Sequence, residues 1–422
     1  MYPPKYLLLL FLLTLTFFIS SCFGTYQESS NAIFSSFSKL TRKRSSSSRE
    51  SPKIVNVDDF GAKANGRDDS EAFKKAWEEA CSSTQSAVLI VPKDKTYNLK
   101  RVTFSGPCNS DIKFMIYGTL KASNKMSDYQ HDRRHWLVFD NVERLRVKGG
   151  GIINGNGKVW WQNSCKINKN KPCSDAPTAV TFNECKNLIV ANLSFRNSQQ
   201  MHLTFQKCIN VRALNLMVTA PGNSPNTDGI HVTGTQNIRI RNSVIRTGDD
   251  CISIVSGSKN VEATDITCGP GHGISIGSLG AGNSEAEVSN VLVNRATLSG
   301  TTNGARIKTW QGGSGYAKNI VFQNIVMKNV SNPIIIDQNY CDQDDPCSEQ
   351  KSAVQVSNIV FRGIKGTSAS EVAIKFNCSR TFPCQQILLQ DIVLGNEGDE
   401  RAKASCSNVY LAHRGRVSPQ CS

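Results

Sequence analysis

The feature that most constrains this chain is a short phrase that recurs along it, an asparagine followed by alternating apolar residues. Copies begin at Asn141 (NVERLRV), Asn187 (NLIVANL), Asn210 (NVRALNL), Asn237 (NIRIRNS), Asn260 (NVEATDI), Asn290 (NVLVNRA), Asn319 (NIVFQNI) and Asn358 (NIVFRGI). From Asn187 onward neighbouring copies lie 23, 27, 23, 30, 29 and 39 residues apart, and the 46 between Asn141 and Asn187 read as two periods of 23. A period in the twenties that is rich in Val and Ile, alternates every second residue and lacks a Leu-x-x-Leu-x-Leu series suits a parallel β-helix better than a leucine-rich repeat. The expectation is an all-β solenoid whose coils stack at about 4.8 Å, with like positions forming ladders along the axis.

A solenoid exposes a sheet edge and an apolar interior at its first coil, and both need a cover. One short helix fits that role: Asp68, Asp69 and Ser70 offer N-caps, and Ala72, Phe73, Ala76, Trp77 and Ala80 fall on one face. Further upstream, Lys5 precedes an apolar run from Leu7 to Ile19 and a small-residue stretch to Gly24, the pattern of a cleaved signal peptide over residues 1–24. That run is shorter than the roughly 20 apolar residues a bilayer span needs. Residues 25–52 are rich in Ser, Lys and Arg, including Arg42-Lys43-Arg44, and read as a flexible tail or pro-segment ahead of a domain over 53–422.

Fifteen cysteines without any C-x-x-C pair argue against a zinc ribbon or a dithiol enzyme and for disulfides formed on export. Loss of Cys22 with the signal leaves 14, enough for seven bridges. Cys185 and Cys208, each two residues before a repeat asparagine, are expected on adjacent coils. Proximity pairs Cys81 with Cys108, Cys165 with Cys173, Cys251 with Cys268, Cys341 with Cys347, Cys378 with Cys384 and Cys406 with Cys421. Sequons at Asn192, Asn329 and Asn377 fit the secretory route. The formal charge of +15 favours a polyanionic partner, whether nucleic acid, an anionic membrane or an acidic polysaccharide.

The one-coil arithmetic also gathers chemistry. Asp228 lies 21 residues before Asp249, and His272 lies 22 after Asp250. Three successive coils are therefore expected to present Asp228, then Asp249 and Asp250, then His272 in one patch. Arg306 and Lys308 stand at alternate positions, so both can point the same way from a strand, and Tyr340 follows. Crowded carboxylates resist ionising together, so one keeps a proton. That division of labour is what glycoside hydrolysis needs: one acid for the leaving oxygen, one base for water. Arg306 and Lys308 would bind a carboxylate on the sugar, which makes a uronic acid polymer the expected substrate. Each segment also has a plain reading, since Asn-Thr-Asp-Gly and Gly-Asp-Asp both make turns. Independent turns, however, have no reason to agree in spacing.

In order, Asn226-Thr227-Asp228, Gly248-Asp249-Asp250, Gly269-x-Gly271-His272-Gly273 and Arg306-Ile307-Lys308 resemble the four signature segments of the polygalacturonases, glycoside hydrolase family 28. The chain is most similar to the plant secreted, endo-acting type, and the resemblance runs from Val57-Asp58-Asp59-Phe60-Gly61-Ala62 to the C-terminal cysteines. It implies a right-handed parallel β-helix and inverting hydrolysis of α-1,4-galacturonosyl linkages in de-esterified pectin, without metal or organic cofactor. It further implies Asp249 as general acid, Asp228 and Asp250 as bases activating water, and His272 as a residue that holds the acid's protonation state. Arg306, Lys308 and Tyr340 would bind galacturonate, with Asn226 in support. The protein would be a monomer of the cell wall, binding no nucleic acid and, once the signal is cleaved, no membrane. Three other readings stand beside this one: an exo-acting enzyme, a pectate lyase whose aspartates hold calcium, and a non-catalytic wall protein that grips pectin in a basic groove.

Overall fold

The computed structural model describes residues 51–342, 347–397 and 401–421. Both the 1–24 signal segment and nearly all of the 25–52 tail lie outside the described residues. Among the described residues the strands form two long sheets, one of 18 and one of 11 strands, and every strand-to-strand pairing within them is parallel. The architecture is the right-handed parallel β-helix. The alternation seen in the sequence becomes alternation between core and surface: Gln236–Arg246 buries Ile238, Ile240 and Ile245 while Arg239 and Arg241 face outward.

Stacking turns like positions into interior ladders. On the smaller sheet Phe104, Phe139, Phe182 and Phe205 lie in register, followed by Val232, Ile254, Ile276 and Ile307. Successive phenylalanines from Phe139 to Phe205 stack with ring planes 13° apart and centroids 4.9 and 5.5 Å apart. Truncating one such ring to alanine costs roughly 3–5 kcal/mol, because its neighbours are held at fixed spacing and cannot close the gap.

The repeat asparagines form the second kind of ladder. From Asn187 to Asn358 each Nδ2 donates to the Oδ1 of the asparagine one coil earlier, at 2.8–3.2 Å. Each of these asparagines has a φ near +57°, a left-handed corner that asparagine tolerates better than other side chains. Asn141 does not belong to this ladder. Arg146 and Val147 pair directly with Ile189 and Val190, so Arg144 occupies the corner that aligns with Asn187. The 46 residues from Asn141 to Asn187 are thus one coil and not two. Its extra length is spent on the helix Lys158–Gln162 and the loop closed by Cys165–Cys173.

The helix Ser70–Cys81 covers the first coil as expected, with Phe73, Ala76, Trp77 and Ala80 buried. Trp77 packs 5.2 Å from Phe104 and donates its indole N–H to the carbonyl of Ser105. The helix start is held by Asp68, which accepts from the amide and hydroxyl of Ser70, whereas Asp69 accepts from the Lys63 amide. Among the described residues six disulfides join the pairs expected from proximity. The seventh does not form: Cys185 and Cys208 sit buried on adjacent coils as thiols, bonding to backbone carbonyls, and the hydrogen bond with Cys185 followed by burial pushes the Cys208 thiol up.

Candidate active site

Three strands of the smaller sheet, Ile230–Thr233, Ile252–Ile254 and Ile274–Leu279, pair with Ile230, Ile252 and Ile274 in line. Two residues before each lies Asp228, Asp250 or His272, so these three are true register equivalents, and Asp249 is displaced by one. The turns are tight. A Cβ on Gly248 would fall 2.0 Å from the carbonyl oxygen of Ser224. Gly273, at φ +86°, would place one 2.0 Å from that of Asn303. Glycine beside Asp249 and beside His272 is therefore a requirement of close backbone approach.

All eight residues singled out in the sequence line one cleft of about 720 Å³. Asp249 accepts at Oδ1 from Nδ1 of His272 at 3.0 Å and from the Asp250 amide at 2.7 Å, while its Oδ2 is 3.4 Å from Nδ2 of Asn226. Asp250 is buried and carries two cations: Nη2 of Arg306 donates to Oδ1 at 2.7 Å and Nζ of Lys308 to Oδ2 at 3.1 Å. Asp228, also buried, accepts at Oδ2 from the Ser253 hydroxyl at 2.7 Å. Tyr340 lies under Lys308, the ammonium 5.3 Å from its ring centroid, and is held edge-on by Trp310.

The environments push the carboxyls apart. Burial, and after it the charges of Asp249 and Asp250, raise Asp228 well above the usual carboxylate range, with Ser253 and Lys308 offsetting only part. Burial also works to raise Asp249, but the hydrogen bond and charge of His272, the Asp250 amide and Lys308 outweigh it and hold Asp249 below its ordinary value. In the free site the proton therefore belongs on Asp228 rather than Asp249.

Several contributors escaped the sequence reading. Ser275 donates to Asp250 at 2.8 Å and accepts from Nε of Arg306 at 2.8 Å. Ser253 bonds both Asp228 and Nδ1 of His231. His231, Ser253, Ser275 and Arg306 are one ladder on the floor of the cleft. Their spacing, 22, 22 and 31 residues, was the signal that could have found the serines. His202, fully buried, accepts the Ser198 amide at Nε2, so its Nδ1–H donates to the carbonyl of Asp228 at 3.1 Å. Burial holds it neutral, its pKa lowered to about 4. At the cleft wall Lys166 and Asp342 pair at 2.8 Å although 176 residues apart, joining loops closed by Cys165–Cys173 and Cys341–Cys347.

Asp249, Asp250 and His272 each present a ligand atom within 4.8 Å of the others. As a cation site the trio is poor, because Asp250 is already neutralised by Arg306 and Lys308 and a metal ion would face both. The same pairing leaves the site suited to anions on the substrate side.

Comparison with known proteins now adds to this geometry. The profile of Glycosyl hydrolases family 28 matches residues 81–418. Polygalacturonase QRT2 of Arabidopsis thaliana is 59% identical over 100% of both chains. Polygalacturonase-2 of Solanum lycopersicum is 60% identical over 87% of this chain and 81% of its own length. Among solved structures, an exopolygalacturonase from Thermotoga maritima superposes with a TM-score of 0.71 at 21% identity, covering 86% of this chain and 90% of its own, a likeness of fold.

Proposed function

Because the chain belongs to glycosyl hydrolases family 28, we propose that it is a secreted polygalacturonase that cleaves α-1,4-galacturonosyl linkages of de-esterified pectin internally and with inversion. The observation that carries this reading is the meeting of Asp228, Asp249, Asp250 and His272 with Arg306 and Lys308 in one cleft. An uronate chain brings a carboxylate on every unit, and a guanidinium and an ammonium at the cleavage point would bind it.

Asp249, the more accessible of the two carboxylates set one behind the other, gives its proton to the leaving glycosidic oxygen. Asp228 and Asp250 orient the water on the opposite face of the sugar, and the base takes its proton as the new C1–O bond forms. His272, bonded to Asp249, sets when that acid holds its proton. Tyr340 and Asn226 flank the sugar. One observation favours a second assignment, with Asp228 as the donor: in the free site it is Asp228 that burial and its neighbours keep protonated. Asp228 and Asp249 influence each other's protonation, so the pH dependence of variants separates the two assignments.

Secretion is supported by the apolar N-terminal run and by six disulfides. Among the described residues no helix is long and apolar enough to cross a membrane.

The test is purified protein with chelator on de-esterified polygalacturonate, following viscosity, reducing ends and unsaturated-end absorbance together. A fast viscosity drop with few reducing ends and no unsaturated ends is the expected result. Slow viscosity loss with steady monomer release would replace endo by exo action. Unsaturated ends that return only with calcium would overturn the hydrolase reading.

A further inference from the structure

The larger sheet, which does not carry the catalytic cleft, has a groove of its own. It is about 720 Å³ in volume, as large as the cleft, and follows the asparagine ladder over several coils. Asn187, Asn210, Asn237 and Asn260 form one wall; Asn210, Asn237 and Asn260 each use one amide N–H for the ladder, which leaves a second N–H for another acceptor, and Asn187 only accepts in it. Arg212 and Arg239 line it.

Those arginines belong to a line of charge. Lys113, Arg146, Ile189, Arg212, Arg239 and Glu262 stand in register on consecutive strands, one coil apart. Glu262 takes Arg239 at 3.4 Å and Arg241 at 2.5 Å, which closes the basic run at that end. Among the described residues Lys113, Arg146 and Arg212 are exposed and in no ion pair.

We infer that this groove is a second binding site for a linear acidic polysaccharide, separate from the cleft and without catalytic groups. It rests on the proposed reading of the cleft for the identity of the polymer. Three features point the same way. Coils repeat at about 4.8 Å, close to the length of one sugar unit in an extended chain, so two cation pairs on neighbouring strands, Arg212 with Arg239 in the groove and Lys113 with Arg146 beyond its end, match carboxylates on neighbouring sugars, with Ile189 as the gap between the pairs. The second amide N–H groups suit hydroxyl groups. The groove also runs along the solenoid axis, the direction an extended polymer must take to meet several coils. A chain held here would keep the enzyme on its polymer between cleavage events in the cleft.

The test is affinity electrophoresis of the full chain in gels containing polygalacturonate, with Asp249→Asn in every protein run so that the gel polymer is bound and not cut. Hydrolysis of a short galacturonate oligomer is assayed separately in the active chain. The Arg146→Ala, Arg212→Ala double variant should lose about ten-fold in apparent affinity for the polymer at low salt, with kcat/KM on the oligomer unchanged. Ile189→Lys, which fills the gap between the two arginines, should tighten retention and more so at low salt. Retention that neither variant moves would overturn the groove, as would equal retardation of wild type by a neutral polysaccharide. If wild type cleaves no galacturonate at all, the reading of the cleft fails instead, and the gel still reports on the groove.

Discussion

Nδ1 of His272 lies 3.0 Å from Oδ1 of Asp249, one coil away, and the His272 amide donates at 2.8 Å to the Asp249 carbonyl. The imidazole is thus tied to Asp249 by side chain and by main chain. It is the strongest handle on which carboxyl works as the acid.

Removing that handle gives a directional prediction. His272→Gln takes away the charge and bond that hold Asp249 low, so the Asp249 pKa rises. If Asp249 is the proton donor, the alkaline limb of the pH-rate profile moves to higher pH. If Asp249 must be ionised, the acid limb moves up instead and activity at low pH falls. Profiles of kcat on polygalacturonate for wild type and variant decide between them. Asp249→Asn should lower kcat by about 10²–10⁴-fold with polymer binding near wild type; near-normal turnover would remove Asp249 from the chemistry.

Lys308 and Arg306 share the buried carboxylate of Asp250. Neutralising Asp250 leaves both cations uncompensated in the interior, which costs about 3–5 kcal/mol, whereas loss of Lys308 alone leaves the Arg306–Asp250 pair balanced. Asp250→Asn should therefore lower stability in urea unfolding as well as activity. Adding Lys308→Met to Asp250→Asn removes one of the two stranded cations and should recover part of the stability and none of the turnover.

Asp228 has the opposite sign. Its folded-state pKa is raised, so below the unfolded carboxylate value near 4 both states hold the proton and it costs nothing. As pH rises past that value the unfolded chain releases its proton first, and the folded state loses ground until Asp228 too is ionised. Asp228→Asn is expected to stabilise the fold by on the order of 1 kcal/mol at neutral pH and by nothing near pH 3, while lowering activity. Denaturant midpoints at the two pH values check this; a loss at neutral pH would contradict it.

His202 and His231 are both lowered to about 4 by burial. Their neutral forms stabilise the fold fully above the ordinary histidine value near 6.5, and this is lost as pH falls toward about 4, where the unfolded chain binds the protons first. The slope of unfolding free energy against pH in that window should flatten in His202→Gln. An unchanged slope would mean that His202 is already charged there.

Much of this was legible in the chain. The solenoid, its helix cap from Ala72 to Ala80 and the grouping of Asp228, Asp249, Asp250 and His272 all follow from local alternation and from a period of one coil. Ser253 and Ser275 were passed over because serine in a strand has no distinctive pattern of its own; only its place in the ladder of His231 and Arg306 gives it meaning. The error at Asn141 has a related cause. A corner asparagine looks the same wherever it turns the chain, and a coil lengthened by the helix Lys158–Gln162 mimics two short ones.

What the sequence determined by itself is therefore whatever repeats: coil spacing, which side chains face in, and which acidic residues share a face. The tertiary structure alone decided the partners. Arg306 and Lys308 reach Asp250 across 56 and 58 residues, Lys166 reaches Asp342 across 176, and Cys185 stays unbonded beside Cys208. These outcomes depend on through-space distance and on loss of water around each group, and neither is a property of neighbouring residues in the chain. The proton balance between Asp228 and Asp249 is set the same way, since burial and facing charges exist only once the coils have stacked.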